Sequence, residues 1–214
     1  MNFVGHAMVA RWERDEPAFV LGAMLPDFAQ MCRARVGDIS HDAIAAGVRC
    51  HHRADSIFHD TATFLALCSQ ARSDLRAAGV GRATALAAAH VGIELLLDGC
   101  WLDDPGVDAA YLAAIDHTVS LPPRTLAWST DEHAERFAHL CRRLQEAGSP
   151  RAYGNPTVVG QRLERILAQR PRLAPSPSDG PRLVQWAHRV QPAVIAAAET
   201  LREEVREGLA SAPP

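Results

Sequence analysis

The sequence predicts an all-α protein, a single-domain bundle of many helices, and three observations carry that reading. Strand-like alternation rich in Val, Ile, Thr and aromatic residues is scarce, whereas helical periodicity built from Ala, Leu, Arg and Glu runs through nearly every segment. Helix punctuation recurs along the chain: Pro17, Asp104-Pro105 and Ser129-Thr130-Asp131-Glu132 open segments, and Gly79, Gly81 and Gly148 close them. The chain has 214 residues, 48% of them apolar, which is long and apolar enough for a substantial core. No repeat and no domain linker interrupts it. Residues 1–210 are therefore expected to form one domain and 211–214 a disordered tail.

The first helix spans roughly residues 3–14, with Phe3, Val4, Met8 and Trp12 at helical spacing and His6 near its start. Pro17 begins a second, almost wholly apolar run, Phe19 to Leu25, which is expected to stop at Pro26. Asp27 follows at once, either as the cap of the next helix or as a ligand. Gly37 marks a loop, and Ser40 caps a helix expected to run, with a kink, to about Ala78. The segment from Arg82 to Leu102 carries Ala85, Leu86, Ala89, Ile93, Leu96 and Leu97, as a central helix would. Further helices are expected from Asp104-Pro105 to about Val119 and from the capping box Ser129–Glu132 to Gly148. Two more span about Val158–Gln169 and Pro181–Leu209.

Composition narrows the function. The net charge of −3 gives no general reason to expect nucleic acid as a partner. All 22 basic residues are arginine, which with the abundant alanine reads as a GC-rich coding bias rather than a binding device. The five cysteines, at 32, 50, 68, 100 and 141, contain no C-x-x-C pair and fit reduced thiols in a cytoplasmic protein. No apolar run approaches the ~18 residues of a membrane span, and the N-terminus lacks the pattern of a signal peptide. G-x-S-x-G, Walker A and G-x-G-x-x-G motifs are missing. Cys50, beside His51, is the one cysteine to consider as a nucleophile.

The chemistry concentrates in residues 50–60, where His51, His52, Asp55, His59 and Asp60 fall within ten positions. Positions 51, 55 and 59 can share one helix face, the way helix-borne metal ligands are presented. The bland alternative is a polar face with chance histidines. A second group lies on the apolar 82–102 helix: His90, Glu94 and Asp98 follow at steps of four along a stripe about 12 Å long. Ionisable groups on so apolar a helix are costly unless paired or bound to a cation. His90 and Glu94 suit one divalent ion, and Asp98 reaches a second ion or an arginine. The alternative is a core histidine with salt-bridged carboxylates. His133 and His139 read as solvated-face residues. With His6 and Asp27 the ligand set is histidine and carboxylate without paired thiols. It suits Zn, Mn, Fe, Ni or Mg better than a structural thiolate zinc, in one or two ions. Such a site would hydrolyse phosphoesters or phosphodiesters, with Arg53 placed to hold a phosphate.

Several blocks also recur in the order of one family. They are Met1-Asn2-Phe3 with His6, and Leu21-Gly22 through Leu25-Pro26-Asp27-Phe28 against L-G-N-L-L-A-D-F. Ala46-Gly47-Val48 with His51, Arg53 and Asp55 matches A-G-I-x-x-H-x-R-x-D, Glu94-x-x-x-Asp98 stands at D-x-x-x-D-H-F, and Arg170-Pro-Arg-Leu173 closes the series. In these blocks, spread over about 170 residues, the chain resembles bacterial acyl carrier protein phosphodiesterases, helical relatives of the HD-type metal phosphohydrolases. The resemblance implies an HD-domain-like fold, release of phosphopantetheine from holo acyl carrier protein, and a divalent metal. With the residue reading above, the candidate ligands are His6, Asp27, His51, Asp55, His59, His90 and Glu94, and the candidate catalytic residues are Asp55, Arg53 and Asp98. It singles out His51, Arg53 and Asp55 within the cluster and moves His52 and Asp60 to second rank. Arg33, Arg35, Arg49, Arg72 and Arg76 would form the docking face for the acidic partner. The chain departs from the pattern at His59, where the family has aspartate, at Gly99, where it has histidine, and at Glu94, where it has aspartate. The Leu-Pro-Asp segment and His90-x-x-x-Glu94 are also similar to zinc-dependent phospholipase C proteins, whose N-terminal amine ligand has no counterpart evident in this sequence. That likeness implies hydrolysis of another small phosphoester. A non-catalytic helical protein with a structural or vestigial metal site is the third reading.

Overall fold

A helix without a polar face must sit among other helices, and the chain opens with two of that kind. In the computed structural model, which describes residues 1–122 and 124–212, α1 (Phe3–Glu13) is buried from Phe3 to Ala10, and α2 (Pro17–Met31) from Ala18 to Leu25. The remaining elements are β1 (Val36–Ile39), α3 (Asp42–Asp60), α4 (Ala62–Ala77), α5 (Arg82–Trp101), α6 (Pro105–His117), β2 (Leu126–Trp128), α7 (Asp131–Ala147), α8 (Pro156–Ala168) and α9 (Asp179–Ser211). Short 3-10 turns cover Thr118–Ser120 and Arg151–Gly154. The all-α class expected from the sequence is the class found.

Contacts group the chain into two compact units. The first comprises Met1–Ser56 and Trp101–Pro150, the second Ile57–Cys100 and Arg151–Pro214. Within the first, α1, α2 and α6 pack on one another. Phe3 joins the three, with its ring centroid 5.7 Å from Phe28 and 5.9 Å from Tyr111. Within the second, α9 lies against α4 and α8. Trp186 of α9 is fully buried and fits against Gly92 of α5, where a methyl group would lie 2.5 Å from the indole.

Several expected boundaries move. Pro26 does not end α2; the helix continues to Met31 with the proline inside it. The missing N–H leaves one carbonyl without its helical donor, but burial of the helix holds it together. Asp27 is therefore mid-helix and caps nothing. The kinked helix expected from Ser40 to Ala78 is two helices, because Thr61 is extended (φ −64°, ψ 140°) and its hydroxyl donates to the Phe58 carbonyl at 2.7 Å. The loop expected around Gly37 contains β1, paired antiparallel with β2 in a ribbon with an irregular register (Val36 opposite Trp128, Ile39 opposite Leu126). The cap of α7 is Thr130, whose Oγ1 accepts from the His133 N–H at 3.2 Å; Ser129 Oγ instead meets the His133 ring at 2.7 Å. Asp104 does cap α6, accepting from the Gly106 N–H at 2.8 Å. α9 includes Ser211, expected in the disordered tail, and residues 213–214 lie outside the described residues. α5 is long and apolar enough to cross a membrane by length and composition, contrary to expectation. Yet 61% of that stretch is buried inside the protein, and it carries Glu94 and Asp98.

Candidate metal centres

The seven expected ligands sort into two groups, each assembled within one unit. In the first unit α1 supplies His6, α2 supplies Asp27, and α3 supplies His51 and, one turn later, Asp55. His6, Asp27 and His51 each offer a ligand atom, all within 4.8 Å of one another. His6 Nε2 lies 3.8 Å from Asp27 Oδ2 and 3.6 Å from Asp55 Oδ1. The His6 and His51 rings stack, with centroids 3.8 Å apart and planes inclined by 26°.

What brings α2 and α3 so close is a pair of glycines. A Cβ on Gly22 would lie 2.2 Å from the Ile44 carbonyl oxygen, and one on Gly47 would lie 2.1 Å from that of Phe19. The helices therefore cross backbone to backbone, and His51, one turn beyond Gly47, reaches the main chain of α2. Its Nδ1 is 2.8 Å from the Ala23 carbonyl oxygen. A carbonyl only accepts, so Nδ1 carries the proton and Nε2 presents a lone pair. Burial pulls the His51 pKa down to about 3, and the neighbouring His6 adds to this against the Ala23 and Asp55 oxygens. The ring is thus neutral and in the tautomer of a metal ligand whose second nitrogen is anchored. Two imidazoles and carboxylates from three helices fit a divalent ion of the Zn, Mn, Fe or Ni kind.

Sequence reading missed three neighbours of this group. The Met1 amino group, buried with its residue, lies 2.7 Å from Asp55 Oδ1. This places an N-terminal amine beside the site, where the sequence had shown no counterpart. The Ala23 carbonyl belongs to the backbone, which residue patterns do not report. Glu13, at the end of α1, accepts a hydrogen bond from the Arg53 guanidinium. Arg53, expected to await a phosphate, is engaged. The two residues are forty positions apart, and no local pattern links them. His52 and Asp60 are exposed, in keeping with second rank, and Cys50 is buried. Burial, with Glu13 nearby, pushes the Cys50 thiol up to about 12, so it is a neutral core thiol rather than a nucleophile.

The second unit holds the other group, His59 from α3 with His90 and Glu94 from α5, again with ligand atoms within 4.8 Å of one another. Glu94 Oε1 is 3.1 Å from His59 Nε2 and 3.1 Å from His90 Nε2. The two rings stack at 4.9 Å, and the Phe64 ring packs edge-on 5.3 Å from each, holding both in place. Burial alone would raise the Glu94 pKa, but hydrogen bonds from His59 and His90 outweigh it and hold the carboxylate well below its usual range. His59 is thus the residue that completes this group. Asp98 belongs to neither group. It is fully buried, and its charge acts on the Tyr153 hydroxyl, whose pKa burial already raises. Gly99 has no room for a side chain: a Cβ would lie 2.6 Å from the Tyr153 carbonyl carbon and oxygen. The five arginines expected to form a docking face are all exposed. Arg33, Arg35 and Arg49 lie in the first unit, Arg72 and Arg76 in the second.

No family model, curated protein or solved structure matches this chain.

Proposed function

We propose that this chain is a metal-dependent phosphodiester hydrolase working at His6, Asp27, His51 and Asp55. The observation that carries the reading is the convergence of the first three, from three helices, around one point, with His51 held neutral and its Nδ1 anchored to Ala23. A divalent ion there would polarise a phosphoryl oxygen and supply a nucleophile at neutral pH. The chain's own groups do the rest. His6 and His51 present nitrogen donors, Asp27 and Asp55 balance the charge, and the Met1 amine orients Asp55 through Oδ1. Arg53, once released by Glu13, grips a phosphate oxygen pair. On this reading the fold is HD-domain-like and the substrate is holo acyl carrier protein, an acidic partner met by Arg33, Arg35 and Arg49. Five free thiols support placing the protein in the reducing cytoplasm.

The second group and the Met1 amine favour another substrate. A second histidine–carboxylate set, as His59, His90 and Glu94 provide, supports a hydrolase with several ions like the zinc-dependent phospholipase C proteins, acting on a small phosphoester. Metal analysis and turnover of bis-p-nitrophenyl phosphate with Zn or Mn test both readings. We expect bound metal and activity that Asp55→Ala removes. Activity unchanged in Asp55→Ala would sink the assignment, and metal without turnover would leave the structural-site reading. Release of phosphopantetheine from holo acyl carrier protein selects the first substrate over the second.

A further inference from the structure

Within the first unit, α7, β2 and residues 118–122 and 124–125 line an open cavity of about 670 Å³. Sites for small organic molecules span about 300–1,000 Å³. Its walls are chiefly apolar, built by Leu126, Trp128, Phe137, Ala138 and Cys141. The Trp128 and Phe137 rings pack at 4.8 Å with planes inclined by 36°, giving a flat aromatic wall. The Cys141 thiol is neutral, its pKa pushed up to about 12 chiefly by burial, so it too offers an uncharged surface.

The charged groups along the lining are Arg124, Arg142 and one carboxylate, Asp131, in the first turn of α7. Among the described residues neither arginine forms an ion pair, so their charge is available to a ligand. Arg124 is held at φ 67°, a left-handed backbone that residues with a side chain rarely adopt. Strain of this sort concentrates where a side chain is being aimed. The cavity thus combines an apolar interior with a net positive charge.

We propose that this cavity binds an amphiphilic anion, an alkyl or acyl chain ending in a carboxylate or phosphate. The chain lies along Leu126, Trp128, Phe137 and Ala138, and the head group meets Arg124 and Arg142. The site shares no residue with either metal centre, so it stands whether or not the chain is a hydrolase.

Calorimetric titration of the full chain with decanoate, decyl phosphate and decanol, all below their aggregation limits, tests it. We expect one-to-one saturable binding of at least one of the two anions, with decanol at least tenfold weaker. The tighter anion identifies the head group. Arg124→Gln and Arg142→Gln, both at exposed positions, should each weaken anion binding about three- to tenfold and leave decanol unchanged. A shift of the Trp128 indole resonance on binding places the ligand in the cavity. Binding of decanol as tight as that of both anions would overturn the proposal. So would a lack of saturation by either anion, or equal affinity in the double arginine variant.

Discussion

A methyl group on Gly47 would lie 2.8 Å from the Cα of Gly22 and closer still, 2.1 Å, to the Phe19 carbonyl oxygen. These glycines are where α2 and α3 touch, and His51 stands one helical turn past the contact. Gly47→Ala must push the helices apart, at about 1–3 kcal/mol of overpacking, and draw His51 away from Ala23. We expect a lower denaturation midpoint and weaker metal uptake by the first group, while a His59→Ala background variant shows the same loss. Unchanged melting and metal stoichiometry in Gly47→Ala would show the close crossing to be dispensable.

His51 makes stability depend on acid in a definite direction. Its pKa falls from 6.5 to about 3 on folding. Between those values the unfolded chain binds a proton that the folded ring refuses, so stability drops as pH falls, by up to about 1.4 kcal/mol per pH unit. Above pH 6.5 the contribution is flat. His51→Gln removes it, so the stability gap between wild type and variant should narrow from pH 7 to pH 4 in urea titrations. Parallel curves would contradict the buried neutral ring.

Arg53 and Glu13 form a partly exposed pair, which adds no more than about 1 kcal/mol to stability. Its consequence under the proposed hydrolase reading is for substrate. Glu13→Gln should leave melting nearly unchanged, yet lower KM for a phosphodiester, or tighten inhibition by inorganic phosphate, about three- to tenfold. Arg53→Gln should move both the other way. If neither variant alters phosphate affinity, Arg53 is only a surface cation.

Gly99 lies against the Tyr153 and Gly154 backbone. Placing histidine there as Gly99→His should not add a ligand. It should collide with the Tyr153–Gly154 backbone and destabilise the second unit by several kcal/mol. Chemical denaturation measures this directly; a stable Gly99→His protein with added metal capacity would reverse the conclusion.

The two groups should load metal separately. His6→Ala should remove uptake at the first and His59→Ala at the second, each lowering stoichiometry by no more than the ions of its own group. Metal should raise the melting temperature of the intact protein in proportion to the logarithm of its concentration. Loss of all binding in either variant would show a single shared centre.

The sequence by itself determined the helical class, because periodicity, caps and breakers are local and act through the backbone of a few neighbouring residues. It also picked out the ionisable residues on apolar helices, since such residues are costly without partners. His90 and Glu94 lie one turn apart, so their pairing was readable from spacing alone. What only the tertiary structure decided was which helix meets which. The join of His59 to His90 and Glu94, the anchoring of His51 on Ala23, the placing of the Met1 amine at Asp55, and the capture of Arg53 by Glu13 all span long sequence separations. They depend on close packing such as the Gly22–Gly47 crossing. Local propensity overestimated Pro26 as a stop, because a buried helix keeps its hydrogen bonds where water cannot compete. It also missed the β1–β2 ribbon, which exists only because two distant segments pair. Asp98 and Glu94 look equivalent in sequence, yet one is sealed in the core near Tyr153 and the other is gripped by two imidazoles. The difference lies in the surroundings each side chain is packed into, which spacing along one helix does not encode.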